Sequence, residues 1–479
     1  MRLWTLAATA STCLLVALLF ACGDSKFGSS GGTSAFGTIN TSISDPPTCA
    51  APLGTFSHVF VTIKDVKAHI NATAADNDPG FVDLTPNMTP VQVDLLGATT
   101  AQCVLAQLAT NVQLPAGTYQ QIRLILLDNT QTAALGANNQ CGTNNGVNCV
   151  TLTSDGSIHQ VNITSEATTG IKLTPPQISG GGVVVQANQT ANLNLNFNAC
   201  ASLLLAANGQ FSMKPVVTAG TVLSANNTIT GRVVDGTTLA AIAGGKVIAT
   251  LQQLSNGVDR VVMEVTPDGA GNFVFCPVPT GSYEVVATAV NGANVAYAAT
   301  VTTGVQPTAS LGNIPLIAQP GSGIAASPAT VNGTITTTGT SGATTDDITL
   351  SALQGVTVGT SNVLVTIPLA AQNSATLTVT TQTIGCALST TGCASYSLQL
   401  PAANPNVGAF SSSGTTYTQN TANPASYTVD ALAFVPSSAA TPSCVPSEVQ
   451  ASTAIGGAPL TVVGGGSVTA APMNFIACQ

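Results

Sequence analysis

The side chains that carry acid–base chemistry are scarce in this chain of 479 residues. Its only histidines are His58, His69 and His159. We interpret His58, which stands beside Phe60 in an apolar strand pattern, as a partly buried packing residue, and the other two as surface residues. A Gly-x-Ser-x-Gly match at residues 28–32 lies in a Gly/Ser-rich segment with no strand before it, so it does not mark a nucleophile. The sequence therefore predicts no catalytic residue.

Carboxylate pairs are the remaining route to an enzyme, as in glycoside hydrolysis. Glu264 and Glu284 fall in one predicted domain, but nothing in the sequence sets them about 5 or 9 Å apart. We interpret them as residues of solvated strand faces. Asp76, Asp78 and Asp83 offer the hard oxygen ligands that calcium prefers, yet their spacing lacks the full calcium-loop pattern and predicts a turn instead. The sequence predicts no metal and no cofactor.

Charge excludes nucleic acid as a partner. Ten Lys plus Arg against nineteen Asp plus Glu give a net charge of −9, and no Lys or Arg occurs from Val261 to Gln479. A phosphate backbone would be repelled by such a chain. Only 6% of the residues are charged while 44% are apolar, and most others are Thr, Ser, Asn, Gln or Gly. This composition predicts a folded protein with an uncharged polar surface.

The first residues predict export. Residues 1–21 carry Arg2 and then a short apolar run, which is typical of a signal peptide. The run ends in Leu-Phe-Ala-Cys, which resembles the lipobox of bacterial lipoproteins and implies cleavage before Cys22 and acylation of its thiol. Residues 22–49 then predict a Gly/Ser-rich flexible tether. We expect a lipid anchor at the outer membrane or cell surface rather than the inner membrane; an ordinary cleaved signal is the alternative.

Cysteine parity agrees with an oxidising compartment. Without Cys13 and Cys22, ten of the twelve cysteines remain, an even number that predicts disulfides. The short spacings predict pinned loops, and two longer pairings are further candidates, without fixing the connectivity. The candidates are Cys141 with Cys149, Cys386 with Cys393, Cys444 with Cys478, and Cys49 with Cys103, which leave Cys200 and Cys276 over as buried thiols.

Strand patterns dominate the rest of the chain. Alternating apolar and polar residues, clearest at 192–198, indicate half-buried antiparallel strands. Turn clusters such as residues 76–80 separate them. The pattern predicts an all-β protein with three tandem antiparallel β-sandwich-type domains. We call these the first block (residues 50–222), the second block (226–319) and the third block (324–479).

One turn motif occurs in both the first and the second block. It reads Pro-Ala-Gly-Thr-Tyr at 115–119 and Pro-Thr-Gly-Ser-Tyr at 279–283. Proline fixes φ at the entry, and we expect Gly117 and Gly281 to supply a positive φ. Tyr119 and Tyr283 are predicted to be buried, with their hydroxyls bonded to nearby backbone, as in the tyrosine corner of immunoglobulin-type sandwiches. Ligand stacking by these rings is the less favoured alternative.

Aromatic platforms for sugar are few. The single tryptophan, Trp4, lies in the predicted signal, which leaves six tyrosines. Tyr417 and Tyr427 flank a polar loop, and we predict them to be the best exposed candidates for ligand contact. The sequence thus favours a shallow polar site over a cleft in which aromatic rings stack on a sugar.

Two blocks resemble known families. The first block, most specifically its Pro-Ala-Gly-Thr-Tyr and Lys-Pro-Val segments (115–119 and 214–216), resembles the DUF4382 family of bacterial envelope lipoprotein domains, which has no established activity. The second block opens with Ile-Thr-Gly-Arg-Val-Val-Asp at 229–235 and is similar to the carboxypeptidase regulatory-like domain. That resemblance implies a prealbumin-type sandwich of carbohydrate-binding-like fold, which is more often a spacer or adhesion module than a catalyst.

These observations favour a non-enzymatic envelope lipoprotein with a binding or structural role. We expect adhesion to a polysaccharide or an envelope protein, besides membrane attachment through the N-terminal lipid. The alternatives are an extracellular carboxylate-dependent hydrolase acting on polysaccharide, and a pure spacer with no specific ligand.

Overall fold

A computed structural model describes most of the chain after residue 34. The described ranges are 35–45, 56–97, 105–163, 166–205, 210–213, 215–222, 227–339, 345–358, 361–370, 381–387, 394–419, 425–434 and 444–478. The expected all-β class is confirmed, because the helices in these ranges are single short turns. They are α1 (Ala199–Ser202) and 3₁₀ turns at Thr132–Ala134, Gly136–Asn138, Pro175–Gln177, Ser179–Gly181 and Gly323–Ala326.

Among the described residues, the first block and the segment just before it contain fifteen strands. They are β1 (Phe36–Ser44), β2 (Phe56–His69), β3 (Val82–Asp83), β4 (Val91–Asp94), β5 (Ala106–Pro115), β6 (Gly117–Tyr119), β7 (Gln121–Leu126), β8 (Cys149–Leu152), β9 (Ile158–Asn162), β10 (Ile171–Leu173), β11 (Val183–Val185), β12 (Thr190–Phe197), β13 (Leu203–Leu205), β14 (Phe211–Met213) and β15 (Val217–Thr221). A four-stranded sheet has the order β15-β12-β1-β5, and a larger sheet has β10-β7-β2-β8-β9-β14-β13 with β3 and β4 paired to β2. Both contribute to one apolar core.

Part of the predicted tether is a strand. β1 lies inside its sheet, parallel to β12 and antiparallel to β5. Ile39, Thr41 and Ile43 alternate along β1 and are buried, and this spacing of two is the signature of a strand with one face on a core. The prediction of a flexible tether over 22–49 is therefore wrong for Phe36–Ser44, where the Gly/Ser-rich composition of the preceding residues obscured the alternation.

The second block adds seven strands. They are β16 (Ile229–Asp235), β17 (Lys246–Ser255), β18 (Val258–Val265), β19 (Asn272–Phe275), β20 (Tyr283–Val290), β21 (Thr300–Val305) and β22 (Ser310–Leu316). β16, β19 and β22 form one sheet, and β21-β20-β17-β18 form part of another. Apolar side chains of both sheets, among them Phe275, Tyr283 and Ile314, form the core between them.

The third block supplies the remaining strands. They are β23 (Ala329–Gly339), β24 (Thr345–Val358), β25 (Ser361–Thr366), β26 (Thr381–Ala387), β27 (Ala394–Leu400), β28 (Asn406–Ala409), β29 (Thr418–Gln419), β30 (Thr428–Phe434), β31 (Glu448–Ala451), β32 (Ser467–Thr469) and β33 (Met473–Cys478). β27, β32 and β33 pair with β23.

A single hydrogen-bonded sheet crosses from the second block into the third. Its order is β29-β28-β21-β20-β17-β18-β25-β24-β30-β31, with β26 paired to β24. The parallel contact of β18 with β25, which we call the seam, aligns Val258 with Leu364 and Asp259 with Val365. Val286, Ala299 and other second-block side chains also enter the third-block core. The two blocks are thus joined through both backbone and core.

Candidate functional site

The two predicted corners have the same local hydrogen bond. In the first block the Tyr119 hydroxyl donates to the carbonyl oxygen of Pro115 at 2.9 Å, and in the second block the Tyr283 hydroxyl donates to that of Pro279 at 2.8 Å. Both tyrosines are buried. Burial raises the pKa of each phenol, to about 12 at Tyr283. The hydroxyls serve the corners and the rings lie in the cores, so neither tyrosine is a stacking platform.

The glycines of the corners differ. Gly281 has a φ of 156°, and a Cβ placed there would lie 2.7 Å from Gln253 Nε2 and 3.1 Å from Tyr283 Oη. Gly117 has no positive φ, and the nearest atom to its Cβ position, Ile70 Cγ2, is 3.9 Å away. The expectation of a positive φ was wrong for Gly117, because β6 continues directly from this residue as an extended strand.

A cleft opens beside the Tyr283 corner, between the first and second blocks. It encloses about 330 Å³. One wall comes from β12, β15 and the 3₁₀ turns of the first block, and the other from β17, β18 and the corner. The lining residues are Pro175, Gln177, Ile178, Ser179, Gly180, Gly181, Asn194, Asn196, Thr218, Ala219, Gly220, Gln253, Leu254, Ser255, Asn256, Arg260, Val262, Met263, Pro279 and Tyr283. We call this the interblock cleft.

Hydrogen bonds and close packing hold the two walls together. The Thr218 hydroxyl donates to the carbonyl oxygen of Val262 at 2.9 Å. The Ser179 hydroxyl donates to Gln253 Oε1 at 3.2 Å. Gly220 lies so close to Pro279 that a Cβ at position 220 would be 2.7 Å from the proline ring. The two walls of the cleft are therefore joined to each other by specific hydrogen bonds and close contacts.

The interblock cleft is lined by neutral polar groups among apolar ones. Five of its side chains are carboxamides and three are aliphatic hydroxyls. Gln253 and the exposed Asn256 both line the cleft, so their amide groups can bind a ligand. The one charged lining residue is Arg260, and none is Asp, Glu, His or Cys. Such a lining suits an uncharged hydrogen-bonding ligand.

Arg260 is neutralised from the third block. Its guanidinium pairs with Asp430, which is fully buried, and with Glu448 Oε1 at 2.9 Å. The Gln450 amide also donates to Asp430 Oδ1, at 2.9 Å. Partial burial and the neighbouring Asp430 raise the pKa of Glu448, although Arg260 opposes this. The guanidinium is paired with two carboxyl groups, so Arg260 adds little positive charge to the cleft.

The structure corrects one of the two tyrosines proposed for ligand contact, Tyr427, and leaves Tyr417 a prediction. Tyr427 is only 3% exposed, and its hydroxyl donates to the carbonyl oxygen of Pro401 at 2.8 Å. Tyr417 is partly buried, with its hydroxyl 2.8 Å from Thr302 Oγ1. The polar loop beside Tyr427 suggested exposure, but the residue directly precedes β30 and its ring packs into the apolar core of the third block. Tyr427 is a core residue and offers no face to a ligand.

Histidines and acids are placed differently from the sequence interpretation. His69 is buried rather than on the surface, and its ring contacts Asp78 Oδ1 at 3.2 Å. His58 is half exposed and bonds Asp94 at 2.7 Å. Glu264, expected on a solvated face, is buried as well. These histidine pairs lie in the first block and do not line the interblock cleft.

The acids considered for calcium have other partners. Asp76 pairs with Arg123 at 2.6 Å, and Asp78 accepts from the backbone N–H of Gly80 at 2.8 Å. Asp83 accepts from the N–H of Thr85 at 2.7 Å, which is an Asx-type turn. In the described ranges no group of three or more His, Cys, Asp or Glu is arranged to hold a metal ion.

Cysteine chemistry is partly resolved. The predicted Cys141–Cys149 disulfide is confirmed, with both residues buried. Cys444 is in a disulfide, and so is Cys276, which the sequence left over as a buried thiol. Short separations along the sequence suggest disulfides within loops. Nothing in the sequence indicates the longer-range disulfide of Cys276. The partners of these two cysteines lie outside the described side chains.

Several predicted residues cannot be placed. The signal, Cys22, Cys49, Cys103 and Cys393 lie outside the described residues, and the side chains of Cys200, Cys386 and Cys478 lie outside the described side chains. Lipidation and these pairings therefore stay predictions. Among the described residues, no helix has the length and hydrophobicity needed to cross a bilayer.

Sequence patterns alone missed the interblock cleft. Its walls join residues about 75 positions apart, such as Ser179 and Gln253. The strand alternation at 192–198 showed that Asn194 and Asn196 share a polar face, but no local pattern indicates what that face meets. The corner motif at 279–283 was the one signal near this site.

Comparison with solved structures finds distant likenesses. The Bacillus anthracis TIE protein is 9% identical, with a TM-score of 0.15, over 93% of this chain and 51% of the other, so this chain spans about half of its length. The shaft pilin SpaA of Lactobacillus rhamnosus GG is 13% identical, with 61% and 100% covered and a TM-score of 0.16. GBS52, the minor pilin of Streptococcus agalactiae, is 11% identical, with 53% and 97% covered and a TM-score of 0.18. Scores this low carry no functional weight.

Family comparison bears on the first block. No curated protein matches this chain. The family model that does match carries the description "Domain of unknown function (DUF4382)" and covers residues 36–215, so it includes β1. This confirms the resemblance seen around the first corner and extends it to Phe36. Residues 36–215, which comprise β1 and most of the first block, thus match the DUF4382 family model.

Proposed function

We propose that this chain is a non-catalytic protein of the bacterial cell envelope that binds an uncharged, polyhydroxylated ligand, a glycan, in the interblock cleft. The observation that carries the proposal is the lining: carboxamides and hydroxyls converge there, and the single cation is paired with Asp430 and Glu448. Lipid attachment at Cys22 and a position at the outer membrane or cell surface belong to the same proposal. The disulfides at Cys141, Cys276 and Cys444 support an oxidising compartment.

Amide side chains suit this ligand because each offers two N–H donors and one carbonyl acceptor. Sugar hydroxyls both donate and accept, so Gln253 and Asn256 can bond adjacent hydroxyls without any charge being buried. Apolar patches from Leu254, Met263 and Pro279 can pack against the C–H faces of a sugar ring. The volume of about 330 Å³ is at the lower end of ordinary ligand sites, which are roughly 300–1,000 Å³.

A carboxylate hydrolase is less well supported at this site. Its mechanism needs two acids on either side of the scissile bond. The lining of the interblock cleft contains none, and Glu284 faces away from it, toward Asp259. Protein adhesion and a spacer role remain as outcomes of the test below.

The test is direct binding by the oxidised chain from Gly23 onward to an array of cell-wall and environmental polysaccharides. We expect saturable binding that weakens about 2–10-fold in Gln253→Ala, the change expected for one lost hydrogen bond of about 0.5–1.5 kcal/mol. Gln160→Ala is the matched control, because Gln160 is exposed on β9, away from the cleft. Binding unaffected by Gln253→Ala would move the site elsewhere, and no binding at all would favour protein adhesion or a spacer.

A further inference from the structure

Two carboxyl groups meet near the seam with too few donors to satisfy them. Asp259 of β18 is 1% exposed, and neither of its carboxyl oxygens has a hydrogen-bond donor. Its neighbour is the carboxyl of Glu284 on β20, which is partly buried and receives the backbone N–H of Gly304. A buried carboxylate without a donor or a counter-charge is costly. Something must therefore compensate the charge of this pair.

Nearby side chains do not supply the missing donor. β17 runs between the two acids and places Gln252 opposite Glu284 and Leu254 opposite Asp259. The Gln252 amide already donates to Thr250 Oγ1 at 2.8 Å and to the carbonyl oxygen of Thr366 at 2.6 Å. Its carbonyl accepts the N–H of Thr366 at 3.0 Å. The Gln252 amide between the two acids is therefore already hydrogen-bonded within β17 and to β25, and it does not donate to either acid.

Charges on the packed elements do not relieve the pair either. Arg260 follows Asp259 but points to the other face, where it binds Asp430 and Glu448. From β25 the neighbour is Thr366, whose hydroxyl donates to the backbone carbonyl of Asp259 at 2.8 Å. Among the described groups, the charge acting on Glu284 is that of Asp259. The compensating species is thus a proton or a bound cation.

The number of groups available to coordinate a cation is small, which favours the proton over a bound cation. Calcium takes about 6–8 oxygen ligands, and magnesium requires near-octahedral coordination. The pair offers only two carboxyl groups, and the described residues contain no third acid, histidine or cysteine grouped with them. One shared proton satisfies both carboxyls with a single O–H···O⁻ bond, as in other paired acids.

We propose that Asp259 and Glu284 share one proton and form a latch that keeps the seam closed at neutral and acidic pH. Loss of that proton leaves two negative charges beside the β18–β25 contact, where Asp259 pairs with Val365. Burial and the facing Asp259 raise the pKa of Glu284 to about 8, and burial raises that of Asp259 to about 6. An acid whose pKa is raised by folding stabilises the fold at low pH. This stabilisation falls as the pH rises from about 4 to about 8.

The experiment is hydrogen exchange on the full chain, read in peptides that cover 258–266 and 361–370. Wild type and Glu284→Gln are compared at the same pH, so that intrinsic exchange rates cancel. Glutamine keeps the shape and donates permanently to Asp259. At pH 9 we expect the wild-type seam to exchange about tenfold faster than the variant, the factor carried by one pKa unit. At pH 6 the two proteins should exchange alike.

Controls make the outcome specific. Asp268→Asn removes an exposed acid from a turn and should exchange like wild type at both pH values. Peptides around the Cys141–Cys149 loop should not change in any variant. If Glu284→Gln does not fold, infrared spectra of the wild type serve instead, with a protonated carboxyl band at pH 7 that disappears as the pH rises through 8.

Two results would overturn the latch. One is equal seam exchange in wild type and Glu284→Gln at pH 9, or the absence of the protonated carboxyl band at pH 7. The other is protection of the wild-type seam at pH 9 by added calcium, lost in Glu284→Gln, which would make the pair a cation site. Neither result depends on glycan binding, so this proposal and the proposed function can fail separately.

Discussion

Tyr119 and Tyr283 end two copies of the same turn, and the two copies have different neighbours. Each hydroxyl bonds the carbonyl of the proline four residues earlier, at 2.9 and 2.8 Å. The first corner has open space at its glycine, whereas Gly281 is held against Gln253 and the Tyr283 hydroxyl. The second corner also forms part of the interblock cleft.

This comparison separates what the motif encodes from what its neighbours add. The hydrogen bond spans four residues and forms in both blocks, so the local sequence is sufficient for it. The strained glycine occurs only at the corner that the first block approaches, where Ser179 bonds Gln253 beside Gly281. Mutations that remove the local hydrogen bond should therefore have similar effects on stability in the two blocks. Mutations that disturb the junction should have different effects in the two blocks.

The largest expected difference is at the glycines. Gly281→Ala should lower the free energy of unfolding by about 1–3 kcal/mol, because an L-residue is strained at a φ of 156°. Gly117→Ala should leave it unchanged or raise it by up to about 1 kcal/mol, since alanine fits there and reduces the entropy of the unfolded chain. Urea unfolding of both variants measures this. Equal losses in the two would show that the corners are equivalent.

Removing the hydroxyls should have a smaller and more similar effect. Tyr119→Phe is expected to cost about 0.5–1.5 kcal/mol, the usual worth of one hydrogen bond. Tyr283→Phe is expected to cost about 1–2 kcal/mol, because it leaves the Pro279 carbonyl without a partner in a fully buried position. The same unfolding experiment applies. A neutral Tyr283→Phe would mean that the bond adds nothing to the stability of the corner.

The smallest effect concerns alkaline pH. Folding raises the pKa of Tyr283 to about 12 from an ordinary value of 10.0, so stability should fall as pH rises through this interval. Tyr283→Phe should remove part of the fall between pH 9 and pH 11, and Tyr119→Phe should remove less. Thermal unfolding at these two pH values is the measurement. An identical fall in stability in wild type and Tyr283→Phe would show that ionisation of Tyr283 does not cause it.

Local patterns predicted the fold class and its local features correctly. Strand alternation gave the all-β class, the eight-residue spacing of Cys141 and Cys149 gave a disulfide, and the repeated turn gave two buried tyrosines. Exposure was harder to predict. Tyr427 and His69 stand next to polar loops, yet each is buried, since the direction of one side chain depends on strand register rather than on neighbouring residue types.

The sequence by itself determined the chemistry available to this protein: neutral amides and hydroxyls in quantity, few charges, and corners whose hydrogen bonds close within four residues. Only the tertiary structure decided which of these groups meet. Gln253 faces Ser179, Arg260 faces Asp430, and Asp259 faces Glu284, across separations of 74, 170 and 25 positions. Strand pairing brings such residues together through contacts between distant segments, and the energies of these contacts leave no periodic signal along the chain.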